Sequence, residues 1–165
     1  MDSELAYLLA NNAQQLYNLK QVPTGRIYAT ATTSVATSAT LITLGSTTGT
    51  GYYLNGGMTT GSNGLIVPVT GYYQVNGGMQ INPAVSGAQV QLYIYTGTGT
   101  TSGTANAYSG AIAHTGATTS IAVQVSDVIY VTSGTYISLW AASTTAHANT
   151  ASAVLTYLSA ALISQ

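Results

Sequence analysis

Cysteine and phenylalanine are absent from this chain of 165 residues, and charge is nearly absent. Without cysteine there is neither a disulfide framework nor a thiolate metal site. Charged residues make up 3% of the sequence, against roughly 25% in ordinary soluble proteins. Asp2, Glu4, Lys20 and Arg26 lie near the N-terminus, and Asp127 is the only charge that follows. Two basic residues cannot neutralise a phosphate backbone or hold an anionic membrane surface, so neither nucleic acid nor membrane is an expected partner. No apolar run reaches the roughly 18 residues of a membrane-spanning helix. A basic segment followed by an apolar core is also missing at the start, so no secretory signal is expected.

What is present is apolar and neutral-polar. Hydrophobic residues reach 46%, with 13 tyrosines, too much apolar surface for a disordered chain. Thr, Ser, Asn, Gln and Tyr must cover the surface. With so little charge to oppose association, such a surface suits an oligomeric or particle-bound protein.

Residues 1–25 form an N-terminal helical segment and 26–165 a β domain. Ser3 can cap the helix, Asp2 and Glu4 suit its positive end, and Lys20 suits the other. Leu5, Leu9, Asn12, Leu16 and Leu19 are spaced 4, 3, 4 and 3, a heptad-like stripe. Two readings stay open, self-association in a fixed register or an amphipathic helix folded back on its own domain. A helix this short has to dock on something. Pro23-Thr24-Gly25 then stops it.

From Arg26 onward the period is two. Ile27–Thr33 and Thr37–Leu44 read as strands, and residues 45–51 as a loop. Gly51-Tyr-Tyr-Leu-Asn-Gly-Gly-Met58 partly repeats as Gly71-Tyr-Tyr-Gln-Val-Asn-Gly-Gly-Met79, which reads as convergence in a low-complexity composition rather than duplication. Leu65–Val69 is a short strand with Pro68 at its end or edge. Gly71 is expected to turn the chain sharply into the next strand, and Gly77-Gly78 to form a bulge or a close backbone crossing. Val90, Leu92 and Ile94 alternate with Gln91, Tyr93 and Tyr95, and Ile137, Leu139 and Ala141 with Tyr136, Ser138 and Trp140. Tyr108–His114 is a further strand, and Asp127 is expected at a turn between Ile121–Val125 and Val128–Val131. Residues 96–104 and 144–149 read as loops. Ala153–Ile163 fits helix or strand by its apolar residues alone, and an all-β context favours strand. Nine or ten short strands point to an antiparallel sandwich or jelly roll.

Taken in order, Leu65–Val75, Val90–Ile94, Ser120–Val131, Ile137–Trp140 and Leu155–Ile163 resemble the C1q/TNF-like jelly-roll family, including its bacteriophage versions. Gly71-Tyr-Tyr73 matches that family's Gly-x-Tyr strand entry, while Ser126-Asp127 departs from its usual Gly-Asp. The resemblance covers roughly residues 27–163 with short, degenerate motifs. It implies a homotrimer in which one sheet of each jelly roll packs around a threefold axis. Tyr72, Tyr73, Tyr136 and Trp140 are the candidate interface residues, since aromatic rings with a polar handle suit interfaces.

No chemistry is legible. Asp2, Glu4 and Asp127 are the only carboxylates, leaving no carboxylate pair in the β domain. No Gly-x-Ser-x-Gly elbow occurs, and His114, His147 and Asp127 lack metal-ligand spacing. The chain is therefore expected to be non-enzymatic, with no cofactor and no metal. The resemblance implies a virion protein: a trimeric decoration or head-fibre protein bound to the major capsid protein, at the capsid surface. Leu5, Leu9, Asn12, Leu16, Leu19 and Arg26 are then the anchor or trimerisation candidates. The alternative is the tip of a tail fibre or spike, binding a host surface glycan through the loops at 45–51, 96–104 and 143–150.

Overall fold

The computed structural model describes residues 3–20, 22–46, 52–61, 63–82, 89–98, 104–108, 112–113, 121–144, 147–149 and 155–165. Among the described residues one helix, α1 (Ser3–Lys20), precedes fifteen strands. They are β1 (Thr24–Ala29), β2 (Ser34–Val35), β3 (Thr40–Leu41), β4 (Leu44–Ser46), β5 (Tyr53–Asn55), β6 (Thr59–Gly61), β7 (Gly64–Ile66) and β8 (Gly71–Asn82). After these come β9 (Gln89–Gly97), β10 (Thr104–Tyr108), β11 (Ile112–Ala113), β12 (Ile121–Val131), β13 (Tyr136–Ser143), β14 (His147–Asn149) and β15 (Tyr157–Ser164).

The strands form two antiparallel sheets. In the first, β8 pairs with β12 on one side and with β15 and β14 on the other, and β15 leads on to β1, β5 and β4. In the second, β9 lies between β13 and β10 with β11, and β13 continues to β7, β3 and β6. Neighbours distant in sequence and two facing sheets make this a jelly-roll sandwich. The period-two runs explain the core. Tyr73, Val75, Met79 and Ile81 of β8 and Val123, Val125, Ile129 and Val131 of β12 point inward. They meet Val90, Leu92 and Ile94 of β9 and Ile137, Leu139 and Ala141 of β13. Leu158 and Ala160 of β15 join the same cluster, so the closing segment is a strand.

Several expectations change. Thr37–Leu44 is broken into β3 and the start of β4, and 147–149 is a strand rather than loop. Short pieces of this kind raise the strand number above nine or ten. Tyr108 and Ile112-Ala113 belong to two separate strands, and His114 lies outside the described residues. So do 47–51, 99–103, 145–146 and 150, the larger part of the first two loops given a glycan role and three residues of the third.

Asp127 is not at a turn. β12 keeps continuous register with β8 from Ile121↔Ile81 to Val131↔Gly71, with Asp127 opposite Val75. The chain reverses instead at Thr132–Thr135, where Thr135 N–H donates to the Thr132 carbonyl and Gly134 adopts φ 82°. That is the residue a type II turn requires at its third position. The Ser133 hydroxyl and the Gly134 N–H dock the turn onto the Pro68 and Val67 carbonyls at 2.7 and 2.8 Å.

Gly77-Gly78 forms no bulge, since both pair in register with β12 and β15. Side chains explain the pair. A Cβ on Gly77 would lie 2.5 Å from Leu139 Cδ1 of the opposite sheet, and one on Gly78 2.5 Å from the Tyr157 ring on the outer face. Gly71 likewise turns nothing sharply; a Cβ there would strike the Ser164 carbonyl of β15. The partial repeat is convergence in structure too. Its first copy makes a tight turn at Asn55–Met58, with Gly56 and Gly57 at φ 59° and 81°, while its second lies within β8.

Candidate interaction surface

Three exposed features could carry function, and each follows from strand or helix periodicity. The first is the outer face of the sheet containing β12, β8, β15 and β1. Because side chains alternate, the neighbours Tyr72 and Tyr73 go to opposite sides of β8. Tyr72 is 48% exposed and meets Tyr130, 58% exposed, across the β8–β12 pair with ring centroids 5.1 Å apart. Val128 (48%) and Ile163 (57%), at the β15 irregularity beside Tyr72, extend the apolar corner. Toward the middle of the sheet a polar network replaces it. Gln74 Nε2 donates to Ser126 Oγ at 2.8 Å, and Ser126 Oγ to Asn76 Oδ1 at 2.8 Å. At the far side Arg26 of β1 lies over the Tyr157 ring at 4.2 Å and the Tyr28 ring at 5.1 Å. Its Nε is buried with no hydrogen-bond partner among the described residues.

Tyr73 is fully buried, and its hydroxyl donates to the Val69 carbonyl at 3.0 Å. Burial pushes its phenol above the ordinary value of 10.0. It is a core residue and leaves the set of surface candidates.

The second feature is the outer face of the other sheet. Gln91, Tyr93 and Tyr95 of β9 lie beside Ala142, Trp140 and Ser138 of β13. Tyr95 and Trp140 rings are 5.0 Å apart and tilted by 31°, and Tyr93 meets Tyr95 edge-on at 6.0 Å. Trp140 Nε1 donates to Ser138 Oγ at 2.9 Å, and the Tyr93 hydroxyl to Gln91 Oε1 at 2.6 Å. Beside them opens a depression of about 370 Å³ lined by Thr37, Gln89, Gln91, Tyr93 and Thr144, among others. Tyr136 packs over Gly61, whose missing Cβ makes the room. Tyr72 and the Tyr136–Trp140 pair, grouped as one interface in the sequence reading, therefore lie on opposite faces of the sandwich. Gln91, Tyr93 and Tyr95 were missed as site residues, although their outward alternation was visible.

The third feature is α1. Leu5, Leu8, Leu9 and Leu16 are each at least half exposed, and Asn12 is exposed between them. The described side chains of α1, residues 3–16, are all exposed, and those of residues 17–20, Leu19 among them, lie outside the described residues. Among the described residues no helix is long and apolar enough to cross a membrane, and no group of three His, Cys, Asp or Glu side chains could hold a metal. The side chain of His147 and all of His114 lie outside that set. Asp127 Oδ1 accepts the Val128 N–H at 2.8 Å, a local backbone bond and nothing more.

No family model and no curated protein matches the sequence. Solved structures do match the fold. The crystal structure of murine APRIL at pH 5.0 aligns with a TM-score of 0.63 and 10% identity, covering 86% of this chain and 99% of that one. The structure of Eiger TNF from S. frugiperda aligns with a TM-score of 0.64 and 8% identity, covering 87% and 94%. At such low identity the likeness establishes the fold alone: a TNF-like antiparallel jelly roll behind a short N-terminal helix.

Proposed function

We propose that this chain is a non-catalytic structural protein that assembles as a homotrimer and is carried on a larger particle. The resemblance set out from the sequence makes that particle a bacteriophage capsid, with the major capsid protein as partner. One observation carries the reading: the outer face of the β12–β8–β15–β1 sheet leaves Tyr72, Val128, Tyr130 and Ile163 roughly half exposed in a lone subunit. A contiguous apolar corner of this kind marks an association surface. Packed about a threefold axis, these faces bury the four side chains together. Arg26, resting on the Tyr157 and Tyr28 rings, belongs to the same face. The scarcity of charge supports the arrangement, because three copies meet without like-charge repulsion. The exposed leucine stripe of α1 then serves as the anchor to the shell, and decoration stabilises the shell by binding only its assembled form.

Sedimentation equilibrium tests the first half: the expected mass is three times 16.8 kDa. Tyr130→Asp would place a charge in each copy of the interface and cost roughly 2 kcal/mol or more per contact, as loss of a buried aromatic anchor does. The variant is expected to sediment as a single chain. A wild-type monomer at micromolar concentration sinks the reading. For the second half, trimers lacking residues 3–20 should stay trimeric and fail to add to undecorated shells. Equal shell binding with and without the helix removes α1 as the anchor.

A further inference from the structure

We infer that the outer face of the β9–β13 sheet is a binding site for a neutral carbohydrate, read along a line from the Gln91 depression to Tyr95. Four observations lead there, and none depends on the trimer. First, the Tyr95 and Trp140 rings stack at an angle, with centroids 5.0 Å apart and 31° between their planes, and Tyr93 meets Tyr95 edge-on, so the three rings form an aromatic shelf on this face. A shelf of this shape suits the flat C–H face of a pyranose ring, which is apolar on one side and polar at its rim. Second, the shelf is kept in shape by its own bonds. Trp140 is tied to Ser138, and Tyr93 is braced by Gln91 and by the Tyr95 ring edge. Rigid aromatic anchors lose little entropy on binding.

Third, the adjoining depression supplies the polar half of the recognition. Its volume of about 370 Å³ lies at the small end of ordinary ligand pockets. That room suits one or two sugar rings. The wall is amide and hydroxyl: Thr37, Gln89, Gln91 and Thr144. With Gln91 Oε1 occupied by the Tyr93 hydroxyl, its Nε2 is left as a donor for a sugar hydroxyl. Fourth, this face carries no charged side chain. The two charges of the β domain, Arg26 and Asp127, both sit in the other sheet, on β1 and β12. A sialylated, phosphorylated or sulfated ligand would lose its solvation here with no cation to replace it. Neutral hexoses and N-acetylhexosamines keep their hydrogen bonds.

Trp140 is the only tryptophan in the chain, so its fluorescence reports on this face alone. The full-length protein should be titrated with maltotetraose, cellotetraose, chitotetraose and lactose, with 3′-sialyllactose as the charged counterpart of lactose. At least one neutral saccharide is expected to change the emission saturably. Gln91→Ala should weaken that saccharide about fivefold, the worth of one net hydrogen bond. Tyr95→Ala should weaken it by more, while Tyr130→Asp on the opposite face leaves it unchanged whatever its effect on subunit mass. No saturable response to any neutral saccharide overturns the inference. So does a response that both Gln91→Ala and Tyr95→Ala leave intact, or tighter binding of 3′-sialyllactose than of lactose. Protection of Trp140 from acrylamide on particle assembly, without a sugar response, would instead assign the shelf to a protein contact.

Discussion

The hydroxyl of Tyr73 is carried into the middle of the sandwich and meets one partner, the Val69 carbonyl. Burial disfavours the phenolate, so the folded chain holds this proton more tightly than the unfolded chain does. The sign follows directly. The stabilisation is complete below the unfolded value of about 10 and is lost as pH rises through the higher folded value. Urea midpoints measured from about pH 8 to about pH 11 should therefore fall at the alkaline end. Tyr73→Phe should flatten that fall while costing about 1 kcal/mol at neutral pH, where the Val69 carbonyl loses its donor. An unchanged alkaline slope in the variant would show that the phenol is not responsible. Residue 77 makes the complementary point about size. Its missing side chain admits Leu139 from across the core, and Tyr157 covers Gly78 on the other side. Two adjacent glycines thus serve two faces, and a sequence reading sees only a flexible pair.

Among the elements, β12 is the exposed one. It pairs with β8 along eleven residues and, among the described residues, pairs with no other strand, though β10 of the facing sheet approaches it. A long bare edge invites strand addition from another chain, and an inward-pointing charge is one way to discourage it. Asp127 shares the inward row of Val125 and Ile129, and its carboxylate takes up the Val128 N–H. Asp127→Val should fold with stability within about 1 kcal/mol of the parent but scatter more light on standing, since it frees a donor and removes the edge charge. Equal scattering from both proteins would remove the protective role. The expected turn at Asp127 failed for a related reason. An aspartate after a serine suggests an Asx turn, but the register of an eleven-residue pair overrides that local preference. The alternating strands β9 and β13 were legible because period two is a local property. Their assignment to one sheet or the other was not, because it depends on which distant strand supplies the hydrogen bonds. For α1, the heptad-like stripe was plain and its partner was not; Leu5, Leu9 and Leu16 stand exposed in the lone subunit.

At the level of the whole molecule the jelly roll itself was readable from spacing, and the TNF-like match bears that out. The interaction surfaces were only half readable. Tyrosine abundance signals association, but which tyrosine faces which way needs the register: Tyr72 outward on one sheet, Tyr136 and Trp140 outward on the other, Tyr73 in neither. A molecule whose two outer faces differ this much has a division of labour available to it, one face for its own copies and one for a ligand.

The β domain holds one cation and one carboxylate, and the cation rests on two aromatic rings. Cohesion of this kind offers dissolved ions almost nothing to shield. Screening changes from a reach of roughly 30 Å at 0.01 M salt to roughly 3 Å at 1 M, yet there are scarcely any separated charges for that change to act on. Thermal melts taken at about these two concentrations of sodium chloride should agree to within about 2 °C. A shift much beyond that would point to charge interactions elsewhere in the assembly. A fold held together this way would keep its stability equally in fresh water, in tissue fluid and in brine.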